Sequence, residues 1–241
     1  MTLCFPSANN ASRRYQSLVY VFSASRLLAD VLQVCPRSLC LFLSFIIPVY
    51  LDDSSKILLT LNLWCEVSPD AGWQENADKP CDTGSPLEII KKEFPQYDFS
   101  SVDPSYPDKT TDLNNNLYAF TRNAILARGQ TCLKQLYSRP EKVIAVVSHS
   151  GFLRTAVCNR MFFNADWRVF TFDEEAMQKN PGSFILKESK ETETKGGGMG
   201  RSDVGYFGIR EGDFPDIEEQ QAKQEDQVEE LDEASKQTPS S

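Results

Sequence analysis

The residues best placed to do chemistry lie in the run Val143-Ile144-Ala145-Val146-Val147-Ser148-His149-Ser150-Gly151-Phe152-Leu153-Arg154. An apolar strand of this kind, in an open α/β sheet, delivers its next residue to the carboxyl edge where ligands bind. That residue is His149, the single histidine of 241 residues. Gly151 lets the chain turn tightly into the apolar stretch Phe152 to Met161, and the amides exposed at a helix start favour an anion. Taken alone, a lone histidine also fits a plainer role, capping the strand end by bonding to backbone. A second polar cluster lies upstream, where Gln74-Glu75 is followed by Asp78-Lys79-Pro80-Cys81-Asp82-Thr83-Gly84-Ser85. Glu75 could act as a general acid, which requires burial or a neighbouring negative charge to hold its proton at neutral pH.

Apolar strand, Ser, His, small residue, Gly and apolar helix, in that order, resemble the second histidine motif of the histidine phosphatase superfamily. The glutamate loop is similar to that of fungal-type phosphoglycerate mutase-like members, where Leu-Gln-Glu precedes a Cys-Asp-Thr-Gly stretch; Trp73 stands here in place of the leucine. The likeness covers about residues 57 to 175 and rests on the order and spacing of both motifs. It implies a phosphomonoester substrate, a phosphorylated small molecule, with His149 as the second histidine and Glu75 as the acid. His149, Ser150 and Gly151 then become the phosphate-binding residues. In the family, a histidine in an Arg-His-Gly motif on the first strand attacks phosphorus, arginines and the second histidine bind the equatorial oxygens, and water releases the phosphate. No Arg-His-Gly occurs here, and Arg13, Arg14, Arg26 and Arg37 lie in other surroundings. The expectation is therefore an impaired or inactive phosphatase-like protein. The alternative is a non-catalytic binding protein that keeps a remnant of the phosphate site or recruits a partner. Neither a metal nor an organic cofactor is implied.

Three other signals carry less. Asp82-Thr83-Gly84-Ser85 is similar to the aspartic protease signature, but that chemistry needs two such aspartates, each led by an apolar strand. Gly196 to Ser202 (GGGMGRS) has Arg201 where a phosphate loop needs lysine, and the wrong glycine spacing. The acidic run Glu211 to Glu233 could dock a basic partner, yet solvated charge runs are common.

The elements that must position His149 and Glu75 follow from pattern. Ile57 to Trp64 reads as a buried strand, and Ser68 to Ser85 as a long polar loop. Ser85, Pro86 and Glu88 start a short helix that Pro95 stops. Thr111 or Asp112 is expected to cap the longest helix, with Leu113, Leu117, Phe120 and Ala124 along one face. Val143 to Val147 and Trp167 to Phe172 read as strands. Strands separated by helical patterns imply a three-layer αβα fold with a mostly parallel sheet, phosphoglycerate mutase-like and incomplete at its N-terminus, because residues 1–56 hold no clear pattern. The divisions are thus 1–56 as an atypical segment, 57–187 as the α/β domain, and 188–241 as a disordered acidic tail.

Composition agrees with a folded body plus tail. Residues 211–241 hold eleven Asp or Glu and two Lys, which accounts for the whole net charge of −9. The remainder is balanced and lacks the basic face of a nucleic-acid binder. Seven cysteines without a CxxC pair argue against a disulfide framework or zinc site and point to a reducing, cytoplasmic setting. The apolar run at 39–51, broken by Pro48, is short for a bilayer span and reads as a buried strand, with membrane contact there as the lesser alternative. It also lies too far from Met1 for a signal peptide.

Overall fold

The structure, a computed structural model, describes residues 18–23, 44–48, 68–141, 143–210 and 212–215. Its framework is a six-stranded sheet in the order β3-β2-β4-β1-β5-β6. The strands are β1 (Leu18–Ser23), β2 (Ser44–Pro48), β3 (Ser68–Asp70), β4 (Val143–Ser148), β5 (Trp167–Phe172) and β6 (Leu186–Glu188). The protein is mixed α/β, but the sheet is not mostly parallel as its pattern suggests. Among the described strands only β1 and β4 run parallel, in the register Val19↔Ile144 to Ser23↔Ser148, while β2–β3, β2–β4, β1–β5 and β5–β6 are antiparallel. The reason lies in the connections. The chain after β4 passes through a helical stretch to β5 on the far side of β1, and β5 then turns back as a hairpin with β6.

Both described pieces of residues 1–56 are strands of this sheet, and β1 lies at its centre between β4 and β5. These two strands are therefore part of the α/β body. The strand expected at Ile57 to Trp64 lies outside the described residues.

The helices are α1 (Leu87–Glu93), α2 (Arg122–Tyr137), α3 (Ser150–Phe152, continued by a π-helical stretch Leu153–Cys158), α4 (Glu174–Lys179) and α5 (Lys190–Lys195). α1 starts after Pro86, which is its N-cap and makes no side-chain cap bond, so the capping box expected from Ser85 does not form. The longest helix begins ten residues later than its apolar spacing suggests, at Arg122, with the Thr121 hydroxyl accepting from Ala124 N at 3.2 Å. Asparagine chemistry explains the delay. Asp112 sits at φ 45°, its carboxylate accepts from Asn115, and the Asn116 side chain bonds Asp108 O, Thr111 O and Tyr118 N. Such local side-chain bonds compete with a helix and build turns instead.

Val19, Val21, Ile144, Val146, Phe170 and Phe172 join Ile125, Cys132, Leu133 and Leu136 of α2 and Phe152, Leu153 and Val157 in one buried cluster. Removing each large apolar side chain from water contributes roughly 1.5–3 kcal/mol, so this cluster is the dominant stabilising term. α2 reaches it closely because Gly129 has no side chain: a Cβ there would stand 2.3 Å from Ala156 O. A second cluster, Ile90, Phe94, Phe99, Val102, Tyr106 and Tyr118 with Ala71, organises the long excursion between β3 and α2.

The disordered tail expected from residue 188 is not what residues 188–215 form where described. Glu188 ends β6 with its side chain fully buried between Arg168 and Arg160, at 2.7 Å from each. The Asp166 carboxylate accepts from the amides of Met199, Arg201 and Ser202 and from the Ser202 hydroxyl. Phe207 N donates to Asn159 O, and Arg154 pairs with Asp213. Order here comes from paired charges and backbone bonds, with Phe214 also packed against the main apolar cluster. Residues 216–241 lie outside the described residues.

Candidate functional site at the end of β4

β4 carries Ser148 and His149 to its carboxyl end, and the Ser148 hydroxyl donates to Trp73 O at 2.7 Å. This bond fastens the turn Ala71–Trp73, whose Asp70 cap accepts from Gly72 N, against the strand end. Trp73 is buried, edge-on to Phe152 with ring centroids 6.1 Å apart. The next residues, Gln74, Glu75 and Asn76, are thereby held over the turn that follows His149.

Glu75 and Gly151, distant in sequence, touch. Oε1 of Glu75 accepts from Phe152 N at 3.1 Å and from Asn76 N at 2.9 Å. A Cβ on residue 151 would stand 2.6 Å from the same oxygen, so glycine is required for the carboxylate to approach. Asn76 continues the contact, donating to the Thr155 hydroxyl, which in turn donates to Gly151 O. The Ser150 hydroxyl is turned away and donates to Phe162 O at 3.2 Å. Of the residues singled out in the sequence, His149, Gly151 and Glu75 meet at this edge, while the Ser150 side chain serves the loop before β5.

Two cations complete the site, and sequence reasoning passed over both. Lys109 is buried and spends all three ammonium hydrogens on carbonyls, Glu75 O at 2.9 Å, Ala77 O at 2.7 Å and Asp82 O at 2.6 Å. Burial, and then the charge of Arg128, pull its pKa down to about 8, against the pull of Glu75, Asp82 and Asp78. Arg128 of α2 is fully buried, lies 4.3 Å above the Phe152 ring, and donates through Nη2 to Gln74 O and Asn76 Oδ1. Desolvation lowers it to about 10, opposed by Cys132, Glu75 and Tyr118. The usable signal for Arg128 was its spacing, three after Ile125 and four before Cys132, which sets a cation on the apolar face of α2. Lys109 gave no comparable signal.

His149 is half-buried, and its pKa falls to about 4. Desolvation is the main cause and Lys109 adds to it, Asp82 opposes, and Arg128 contributes a smaller lowering. The imidazole is therefore neutral at pH 7, able to accept or donate a hydrogen bond but not to supply positive charge. Arg154, which also feels the Glu75 charge, is engaged by both carboxylate oxygens of Asp213.

The other signals resolve structurally. Residues 196–202 wrap the Asp166 carboxylate, which already engages the amides of Met199, Arg201 and Ser202 that a phosphate loop would offer. Burial works to raise the Asp166 pKa, but the Ser202 hydroxyl and the amides of Met199, Trp167 and Arg201 outweigh it and hold it low. Among the described residues no cluster of three or more His, Cys, Asp or Glu is arranged to hold a metal. No helix of these residues is long and apolar enough to cross a membrane. No family model, curated protein or solved structure matches the chain.

Proposed function

We propose that this chain is a histidine phosphatase-like protein that holds the supporting half of a phosphomonoester site and does not turn its ligand over. The observation that carries the reading is the contact of Glu75 with Gly151 and Phe152 N, which sets the acid of one motif against the loop of the other, 77 residues on. The two motifs were linked only by resemblance, and their meeting at one strand end is what a shared site requires.

The inactive half of the proposal rests on β1. It runs parallel to β4 and pairs Ser23 with Ser148, so its carboxyl end adjoins His149. In the family that this chain resembles, the nucleophilic histidine belongs to the first strand. Here the sequence reads Phe22-Ser23-Ala24-Ser25-Arg26, with no imidazole. A general acid and a second histidine only assist a phosphoryl group that a nucleophile has begun to take. Lys109 and Arg154 would give direct attack by water little help, because Lys109 is saturated by carbonyls and Arg154 is held by Asp213.

The test is turnover of an aryl phosphate and of sugar phosphates by the purified chain beside His149→Ala and Glu75→Ala. The expected result is a rate at the level of the blank and no labelled phosphohistidine. Turnover that both substitutions abolish would overturn the reading.

A further inference from the structure

The hydrogen bonds around α2 leave one group without an account. Arg128 is 0 % exposed, and of its five N–H hydrogens only the two on Nη2 find acceptors; Nε and Nη1 have no hydrogen-bond partner among the described residues. Gln74 is equally buried, and both atoms of its side-chain amide lack a partner. The two residues adjoin, since Arg128 Nη2 bonds the Gln74 carbonyl at 3.2 Å. Leaving a buried charged donor unbonded costs more than leaving a neutral one, so three such hydrogens on a buried guanidinium are a heavy penalty unless something binds them.

A buried cation without a carboxylate in ion-pair contact could be replaced at lower cost by an apolar side chain. No carboxylate of the described residues is within ion-pair distance of Arg128 or Lys109. Glu75, whose charge acts on Arg128, faces the amides of Asn76 and Phe152.

We propose that Arg128 and Gln74 form a subsite for a tetrahedral oxyanion beside the end of β4, with the guanidinium Nε–H and Nη1–H groups and the Gln74 amide as its binding groups. Donors outnumber acceptors in this set, and the local charge is positive, which selects an acceptor-rich anion. The Gln74 Oε1 acceptor suits an oxyanion that retains one hydroxyl, as a phosphate monoanion does. The subsite rests on the reading of the β4 end as a phosphomonoester site, but it moves the anion's anchor. The Phe152 amide is already taken by Glu75, so the charge-assisted bonds come from α2 and from the residue before the acid. It also gives the chain an arginine for the ligand although no Arg-His-Gly precedes.

The experiment is a titration of the full 15N-labelled chain with inorganic phosphate, against chloride at equal ionic strength. It follows the Arg128 Nε–H signal, assigned by its loss in Arg128→Lys, together with the amides of Ser150 and Gly151. Saturable movement of the Arg128 Nε–H signal in phosphate and not in chloride is the expected result. Movement of Ser150 and Gly151 without Arg128 overturns the subsite and leaves the phosphomonoester reading standing. Movement of neither overturns both, and identical movement in chloride overturns the subsite as an ionic-strength effect. Because Arg128 also ties residues 74–76 to α2, Gln74→Leu is the second variant. It keeps the volume and removes only the amide, so the fold should persist with unchanged or raised stability. The apparent Kd for phosphate should rise roughly tenfold, the worth of one hydrogen bond to a charged group. An unchanged Kd in Gln74→Leu would also refute the subsite.

Discussion

Acid should unfold this protein partly through its one histidine, and the size of that contribution can be worked out. His149 has a folded pKa of about 4 against 6.5 for a free imidazole, because its ring is desolvated and lies in the field of Lys109 and Arg128. The sign follows from proton binding. Between those two values the unfolded chain binds a proton that the folded chain refuses, so stability is full above pH 6.5 and falls as the pH drops towards 4. Linkage over that interval gives a loss of about 0.2 kcal/mol at pH 7 and about 2 kcal/mol at pH 5. His149 is only half-buried as a residue, so the larger figure is an upper value.

The assay is urea unfolding of the wild type and of His149→Asn at pH 7 and pH 5. Carboxylates contribute to both proteins alike and cancel in the comparison. The wild type should lose nearly 2 kcal/mol more than the variant over this step. A direct check is the His149 Hε1 proton, which in a one-histidine chain needs no assignment and should hold its neutral shift down to about pH 5. A midpoint at or above pH 6, or equal acid losses in both proteins, would refute the reasoning. It would mean that the ring is solvated and that the cations do not face it.

Two further outcomes test the body of the fold. Glu188→Gln should cost about 3–5 kcal/mol in urea unfolding, since it leaves Arg168 buried without its charge partner; Glu175→Gln, which breaks an exposed pair with Lys179, should cost under about 1 kcal/mol. Asp166→Ala should destabilise by about 3 kcal/mol and speed hydrogen exchange at Met199 and Ser202, whose amides lose their acceptor. Unchanged exchange would mean that the glycine loop holds its shape without the carboxylate.

The elements legible in the sequence are those with one dominant local signal. Val143–Ser148 and Trp167–Phe172 are strands within a residue of their apolar runs, and Pro86 and Pro95 bracket α1. What was not legible had competing signals. Leu113, Leu117 and Phe120 keep helical spacing, but Asp112 and the asparagines after it capture the backbone first. Leu18 to Phe22 shows no alternation because a strand between two others at the centre of a sheet needs none. Residues 188–210 are polar enough to read as a tail, and composition counts apolar area while overlooking that Glu188, Asp203 and Ser202 each have a partner on the body. At the site, His149 and Glu75 stood out because their types do chemistry. Lys109 and Arg128 did not, because lysine and arginine are surface residues by default.

Among the described residues, the turn into α3 and the glycine loop after α5 both present backbone amides to a carboxylate of the chain itself. Glu75 takes the first and Asp166 the second. An internal carboxylate is always present at high effective concentration, so an incoming oxyanion must displace it before using those amides. At the glycine loop displacement would undo five hydrogen bonds to one buried group, which makes Asp166 part of the scaffold. Glu75 is held by two, on a residue that is only half-buried. The same physical device is therefore held more firmly at the glycine loop than at the turn into α3. Of the two carboxylates, Glu75 has the fewer bonds to break and the less buried position, so displacing it costs less.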